Sequence, residues 1–134
     1  MLCLRRAWWR RRAPDSTLNG IWRRPPPSRR PASALALLAC DVETSGLDPA
    51  SDELLSIGWV PIDGGELLLG GAREHRIRNR RSVGPSAAVH GLRDCELSGA
   101  GPPEAALAAF VEAAAGRVLV FHHARLDLAF LDRA

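Results

Sequence analysis

The spacing of apolar residues changes along the chain, and this change most constrains the fold. Three segments in the first half, "ALALLACDV", "ELLSIGWVPID" and "ELLLGGAREHRIRN", are short, apolar or alternating, and separated by turn signals such as Gly64-Gly65. These features are typical of β-strands joined by short turns. We therefore expect three consecutive strands that form an antiparallel meander, with His75, Ile77 and Asn79 on one side of the third.

After residue 84 the spacing becomes helical. "PSAAVHGL" predicts one or two helical turns ended by Gly91, and "PPEAALAAFVEAAAG" predicts a helix with Pro103 in its first turn and Gly116 at its end. "RVLVF" then predicts a buried strand, and "HHARLDLAFLDRA" begins another helix. An apolar stripe on the first long helix faces the sheet: Leu107, Phe110, Val111 and Ala114. The predicted fold class is α/β, a mixed sheet in which a parallel strand joins the meander and helices cover it.

Charge divides the 134 residues into two parts. Residues 1–33 hold nine arginines and one acid, whereas residues 34–134 hold nine arginines and fourteen acids, a net charge of −5. The first part, rich in Arg, Pro and Trp, predicts a basic tail without fixed structure, and the second predicts one domain. The tail, with Trp8, Trp9 and Trp22, is suited to nucleic acid or an anionic lipid surface, but a solvated arm or a transit peptide fits equally.

Three widely spaced cysteines, Cys3, Cys40 and Cys95, contain no CxxC pair and indicate neither a disulfide framework nor a zinc site. We therefore expect a reducing compartment, the cytoplasm. No apolar run approaches the ~20 residues that a membrane-spanning helix needs. An alternative is a lipoprotein signal in which "LLAC" places the lipid on Cys40, although the preceding "RRPPPSRRP" is more typical of a linker.

Two acids follow the first apolar segment, where a carboxylate is expensive to desolvate. Because residues i and i+2 of a strand point to the same side, Asp41 and Glu43 present their carboxylates together. A divalent cation relieves the repulsion between them, and oxygen ligands favour Mg²⁺ or Mn²⁺ over Zn²⁺. Asp127, in the first turn of the last helix, is a third candidate, although an acid there also serves simply to cap the helix.

Three stretches in order, "DVETSGLDP", "VGPSAAVHGL" and "VFHHARLDLAFL", resemble motifs of the DEDD exonuclease superfamily, in particular the branch of the proofreading epsilon subunit of bacterial DNA polymerase III. The resemblance covers roughly residues 34–134. It implies a ribonuclease H-like fold and a 3′–5′ exonuclease that uses two metal ions. The substrate it implies is nucleic acid, a single-stranded DNA 3′ end, in replication proofreading or repair, with a DNA polymerase subunit as a possible partner.

The resemblance also implies roles for individual residues. Asp41, Glu43 and Asp127 match the acids that hold the metals and are catalytic in the family. Thr44, through its backbone, and Leu47, against the base, correspond to contacts with the terminal nucleotide. His90 would lie near the same nucleotide, while the alternative is that it simply ends a short helix before Gly91.

Two departures from the family pattern bear on activity. Family members often have Asn where His123 stands. The third family motif, a His followed five residues later by an Asp, has no counterpart before Ala134, and in the family that His is the general base and that Asp a further ligand. We therefore expect a C-terminally incomplete domain, and the alternative function is an inactive fragment that at most binds nucleic acid or protein.

Overall fold

The computed structural model describes residues 30–134, so the three tryptophans of the predicted tail and the rest of positions 1–29 lie outside the described residues. Within this range five strands form one sheet, and four α-helices accompany it. The strands are β1 Leu37–Thr44, β2 Leu54–Asp63, β3 Glu66–Leu67, β4 Arg73–Arg76 and β5 Val118–Phe121, and the helices are α1 Ala87–His90, α2 Asp94–Leu97, α3 Pro103–Ala114 and α4 Ala124–Arg133.

The sheet is mixed, as predicted. Its order is β3-β2-β1-β5. β4 pairs with Ser56–Trp59 of β2, on the same edge as β3. β2 runs antiparallel to β1, β3 and β4, whereas β5 runs parallel to β1. The parallel pairing requires a long crossover, which α3 supplies between the meander and β5.

The third predicted strand is divided in two. β3 is two residues long, a 3₁₀ turn at Leu69–Gly71 follows it, and β4 ends at Arg76. The chain at this turn passes against β2, because a Cβ on Gly71 would lie 2.9 Å from Cγ of Pro61. The prediction of one continuous strand was therefore wrong, since a double glycine and this close approach bend the segment.

The long helix matches its prediction closely. α3 begins at Pro103, where a missing backbone N–H costs nothing, and its C-cap Ala115 is extended just before Gly116 with φ 81°. Phe110 is 2% exposed, a burial that stabilises the fold by about 1.5–3 kcal/mol. α2 was not predicted. Its four residues are too few to show a helical period.

A β-bulge divides the core into two clusters. The pairing of β1 with β2 shifts between Glu43 and Thr44, so Leu54 and Ile57 join one cluster while Leu55 joins another. The larger cluster packs the sheet against α3 and α4 and includes Leu38, Cys40, Ile57, Trp59, Phe110, Val111, Phe130 and Leu131. The smaller cluster joins Leu55 to the segment around α1 and α2: Val83, Leu92 and Leu97.

β5 is less buried than predicted. Leu119 and Phe121 pack against the larger cluster, but the alternating residue Val120 is 42% exposed. The prediction of a buried strand therefore holds for the face of β5 that carries Leu119 and Phe121 but not for the face that carries Val120.

Candidate active site

The two acids of β1 point away from the larger core. Cys40 and Val42 pack into it, so the alternating Asp41 and Glu43 lie on the other side, where Asp41 is exposed and Glu43 is half-buried. Both residues hold regular register with β2, Asp41 opposite Gly58 and Glu43 opposite Ser56. The carboxylates are therefore presented by a strand that is paired with β2, just beyond the point where its pairing with β5 ends at Cys40.

Asp127 reaches the same region from α4. It lies in the first turn of the helix, where its backbone N–H donates to the His123 carbonyl at 3.2 Å. The residue is 4% exposed, and within residues 30–134 its Oδ2 has no hydrogen-bond partner. A buried carboxylate oxygen without a partner is costly, so Oδ2 is a candidate donor to a ligand, while hydrogen bonds from the backbone of Asp127 and His123 lower the pKa of the same carboxyl as a helix cap does.

Electrostatic effects link the three acids through Asp41. Burial raises the pKa of Asp127, and the charge of Asp41 raises it further. Burial likewise raises the pKa of Glu43, again with a contribution from Asp41. The charge of Asp41 therefore acts on both of the other carboxyl groups.

The three acids do not, however, form a finished cage. Among residues 30–134 no three or more His, Cys, Asp or Glu side chains lie close enough together to hold one metal ion. The arrangement is instead two pairs of carboxylates that share Asp41. Each pair offers oxygen donors, and one of these is the unpartnered Oδ2 of Asp127, so the donor chemistry suits a hard divalent cation.

His90 ends a short helix and also lies near the acids of the candidate site. It is the last residue of α1, followed by Gly91 in the left-handed conformation with φ 78°. It also lies near Glu43, because the protonated form of the ring would lower the pKa of that carboxyl. Its Nδ1 accepts from the Leu92 N–H at 3.0 Å, so in the neutral ring Nε2 carries the proton and donates to Ser86 Oγ, 3.0 Å away.

Thr44 and Leu47 lie where β1 turns away from the sheet. The Thr44 hydroxyl donates to the Gly46 carbonyl at 2.6 Å. A Cβ on Gly46 would overlap the Asp52 carboxylate, so a side chain here would displace that carboxylate from its hydrogen bond with the Asp48 N–H. Leu47 is 78% exposed, and its side chain is therefore accessible to a ligand beside the acids.

A fourth carboxylate, that of Glu74, lies near the site. Glu74 of β4 pairs with Gly58, which pairs with Asp41, so the two acids lie in one row across three strands. The charge of Glu74 contributes to the raised pKa of Glu43. No local signal marks Glu74, because strand register brings it to Asp41.

Cys40 precedes Asp41 in β1, and its thiol is buried in the larger cluster on the opposite side of the strand. Its thiol donates to the Leu38 carbonyl at 3.2 Å, and burial raises its pKa to about 12. A thiol buried in the middle of a strand favours packing over attachment of a lipid.

The chain matches a family described as Exonuclease over residues 38–134. It is also 33% identical over 105 residues to a DNA polymerase III subunit epsilon-like protein of Rhodobacter capsulatus, an alignment that covers 77% of this chain and 15% of that protein. The chain therefore belongs to the exonuclease family, and both the DEDD resemblance and the ribonuclease H-like α/β fold are confirmed. It spans about 15% of the length of that curated relative.

The family and the structure bear on two further expectations. The exonuclease family is generally dependent on a divalent metal, which agrees with the acidic donors described above. No helix among residues 30–134 has the length and apolar character needed to cross a membrane.

Proposed function

We propose that residues 34–134 are an exonuclease domain that removes nucleotides from nucleic-acid 3′ ends in the 3′–5′ direction. The proposal depends on one observation. Burial and the charge of Asp41 raise the pKa values of both Glu43 and Asp127, and one buried oxygen of Asp127 has no hydrogen-bond partner among the described residues. Membership of the exonuclease family supports it.

The three acids would hold two divalent ions, Mg²⁺ or Mn²⁺, and Asp41 would contribute to both positions because both pairs share it. Bound ions there would supply activation of the attacking water and stabilisation of the leaving 3′ oxygen. The protein itself would orient the terminal nucleotide through the backbone of Thr44 and the exposed side chain of Leu47. His90, held by its two hydrogen bonds, would lie beside that nucleotide.

The proposed substrate is a single-stranded DNA 3′ end, in replication proofreading or repair, and the proposed location is the cytoplasm. The name of the relative, a DNA polymerase III subunit epsilon-like protein, supports this substrate and a polymerase partner for the present chain.

A second candidate function is binding without catalysis. The observation that favours it is that residues 30–134 contain no group of three side chains placed to hold one metal ion. In this case the chain would bind nucleic acid or another protein and would not cleave it.

A nuclease assay separates the two candidates. Single-stranded DNA with a 5′ fluorophore is incubated with the full chain and Mg²⁺, and exonuclease action predicts a ladder that shortens one nucleotide at a time. Asp41→Ala should abolish the ladder, whereas Glu112→Ala, which removes an exposed acid from α3, should leave it unchanged.

Three results would contradict the proposal. A ladder that persists in Asp41→Ala would show that the cleavage does not depend on these acids. Internal cuts, or unchanged degradation of DNA whose 3′ end is blocked, would rule out action from the 3′ end. DNA binding without any cleavage would support the second candidate.

A further inference from the structure

A cleft lined by four arginines lies beside the candidate site. Its volume is about 340 Å³, and its walls include Arg78, Arg80, Arg81 and Arg133. None of the three proposed metal-binding acids lines it. The cleft is therefore a separate surface, and its chemistry is cationic where that of the site is anionic.

These arginines are positioned by the fold. Hydrogen bonds lower the pKa of Asp48, and Arg133 lies near enough to that carboxyl to lower its pKa further. Arg78 donates to the Ala100 carbonyl at 3.2 Å, Arg81 donates to the Ser51 carbonyl at 3.2 Å, and Arg133 donates to the Pro49 carbonyl. Within residues 30–134 none of the four forms an ion pair with a carboxylate, in contrast to Arg76 and Arg117. Since a guanidinium has five N–H donors, most of these donors stay available to a ligand.

Arg80 is the least constrained of the four. In the described part of the chain its guanidinium makes neither a hydrogen bond nor an ion pair, and the residue is exposed. Its backbone N–H donates to Oε2 of Glu53 at 3.0 Å, and that of Arg81 donates to the same oxygen at 3.1 Å. Glu53 also lines the cleft, but its carboxylate is engaged by these backbone groups.

The charge balance of the cleft stays positive. Asp52 and Glu53 are the acidic side chains among its lining residues, and Ala134 adds an α-carboxylate, against four arginines. Asp52 accepts a hydrogen bond from the Asp48 backbone N–H at 2.9 Å and so belongs to the adjoining turn. Clustered guanidiniums of this kind bind phosphate oxygens and release counterions.

Two elements connect the cleft to the acids. The first is the turn after β1. Ser45 lies two residues after Glu43, and two hydrogen bonds of 2.9 Å join it to Glu53, which lines the cleft. In α4, Phe130 lines the cleft one helical turn beyond Asp127, a rise of about 4.5 Å. These links place the cleft within a few residues of Glu43 and of Asp127, as binding of one strand at both places requires.

We propose that the cleft lined by Arg78, Arg80, Arg81 and Arg133 binds backbone phosphates of the single strand whose 3′ end lies at the acids. This inference rests on the proposed function for the orientation of the strand. The cleft would be a second region of contact with the DNA strand, and this contact would not depend on the identity of the bases. None of the three proposed metal-binding acids lines it.

The test measures DNA binding and needs no cleavage. The full chain is titrated against 5′-fluorescein oligo(dT) of twelve nucleotides in EDTA, and anisotropy gives Kd between 50 and 200 mM NaCl. Arg80→Ala should weaken binding several-fold and flatten the slope of log affinity against log salt by about 0.7, the value for one phosphate of a single strand. Adding Arg133→Ala should flatten the slope by about as much again.

Two matched variants control for charge and for folding. Arg73→Ala also removes one guanidinium. Arg73 is the first residue of β4, where its side chain donates to the Gly70 carbonyl, and it does not line the cleft, so the slope should stay unchanged. Arg80→Lys retains the charge and should restore most of the slope. Thermal melting followed by circular dichroism confirms that each variant folds. Arginines in residues 1–33 are common to every variant, so differences between variants report on the cleft.

The outcomes separate this inference from the proposed function. If Arg80→Ala and the double variant bind DNA with the same Kd and salt slope as Arg73→Ala, the cleft does not bind phosphate and the inference is wrong. If the wild type does not degrade DNA but the Arg80 variants still lose affinity and slope, the proposed catalysis fails and the phosphate cleft stands.

Discussion

Asp94 and Asp127 are both aspartates in the first turn of a helix, yet their surroundings differ sharply. The Asp94 carboxylate accepts three hydrogen bonds, from the Val83 backbone at 2.9 Å, the Ser82 hydroxyl at 2.8 Å and the Asn79 amide at 2.6 Å. These bonds, led by that from Val83, lower the pKa of Asp94. Asp127 is buried with one oxygen unpartnered among the described residues, and its pKa is raised.

The difference separates an acid that holds the fold together from one that costs the fold stability. Asp94 ties the segment after β4 to α2, and its ionised form is favoured. Asp127 is kept where its ionised form is disfavoured by burial and by Asp41, a cost that a bound cation would offset. Acids of the second kind are candidates for function, because packing alone would select a neutral residue.

The largest expected effect is on binding of metal by Asp127→Asn. Loss of an outer-shell partner already costs about 10- to 100-fold in metal affinity, so loss of a proposed ligand should cost at least as much. Isothermal titration with Mg²⁺ measures this, and Mg²⁺ should raise the melting temperature of the wild type but not of the variant. Asp132→Asn, an exposed acid of the same helix, is the control. Equal Mg²⁺ affinity in the wild type and Asp127→Asn would remove Asp127 from the metal site.

A second, smaller effect is expected on stability from Asp94→Ala. The variant leaves the Val83 N–H and two side chains without their acceptor, so the melting temperature should fall. Mg²⁺ affinity should stay unchanged, because Asp94 contributes to none of the pKa shifts of the site acids. Thermal melting and Mg²⁺ titration of the same preparation check both parts. A variant that melts like the wild type would show that the three hydrogen bonds do not hold α2.

The smallest expected effect has the opposite sign. Without metal, Asp127→Asn should stabilise the fold by about 1 kcal/mol, since it removes a buried charge near Asp41 that lacks a full set of partners. Chemical denaturation in EDTA at pH 7 measures this gain. A loss of stability in the variant would mean that the carboxylate has partners that favour its charged form.

The pH dependence of that gain follows from the direction of the pKa shift. Because the folded-state pKa of Asp127 is raised, the folded protein binds this proton more tightly than the unfolded chain, and stability falls as pH rises through the folded pKa. The advantage of Asn over Asp should therefore be greatest at pH 7 and shrink as the pH falls towards about 4, the ordinary value for Asp. For Asp94, with its lowered pKa, the stabilisation is present above about pH 4 and is lost as pH falls through the folded pKa.

Local sequence was sufficient for elements whose signals are complete within a few residues. The helix at Pro103–Ala114 combines a proline start, an apolar stripe and a following glycine, and all three signals agree. Asp41 and Glu43 share a side because strand geometry requires it. The third strand was predicted wrongly because its interruption depends on how Gly71 passes Pro61, a contact between residues ten apart.

By itself the sequence determined the order of β1, β2, α3, β5 and α4, the single-sided presentation of the β1 acids and the family to which the chain belongs. These depend on periodicity and on motifs, which are properties of neighbouring residues. Only the tertiary structure decided that Asp127 is buried with an unpartnered oxygen, that Glu74 lies in one row with Asp41, and that four arginines line one cleft. Each of these depends on strand register or on the packing of α4, which bring together groups that are distant along the chain.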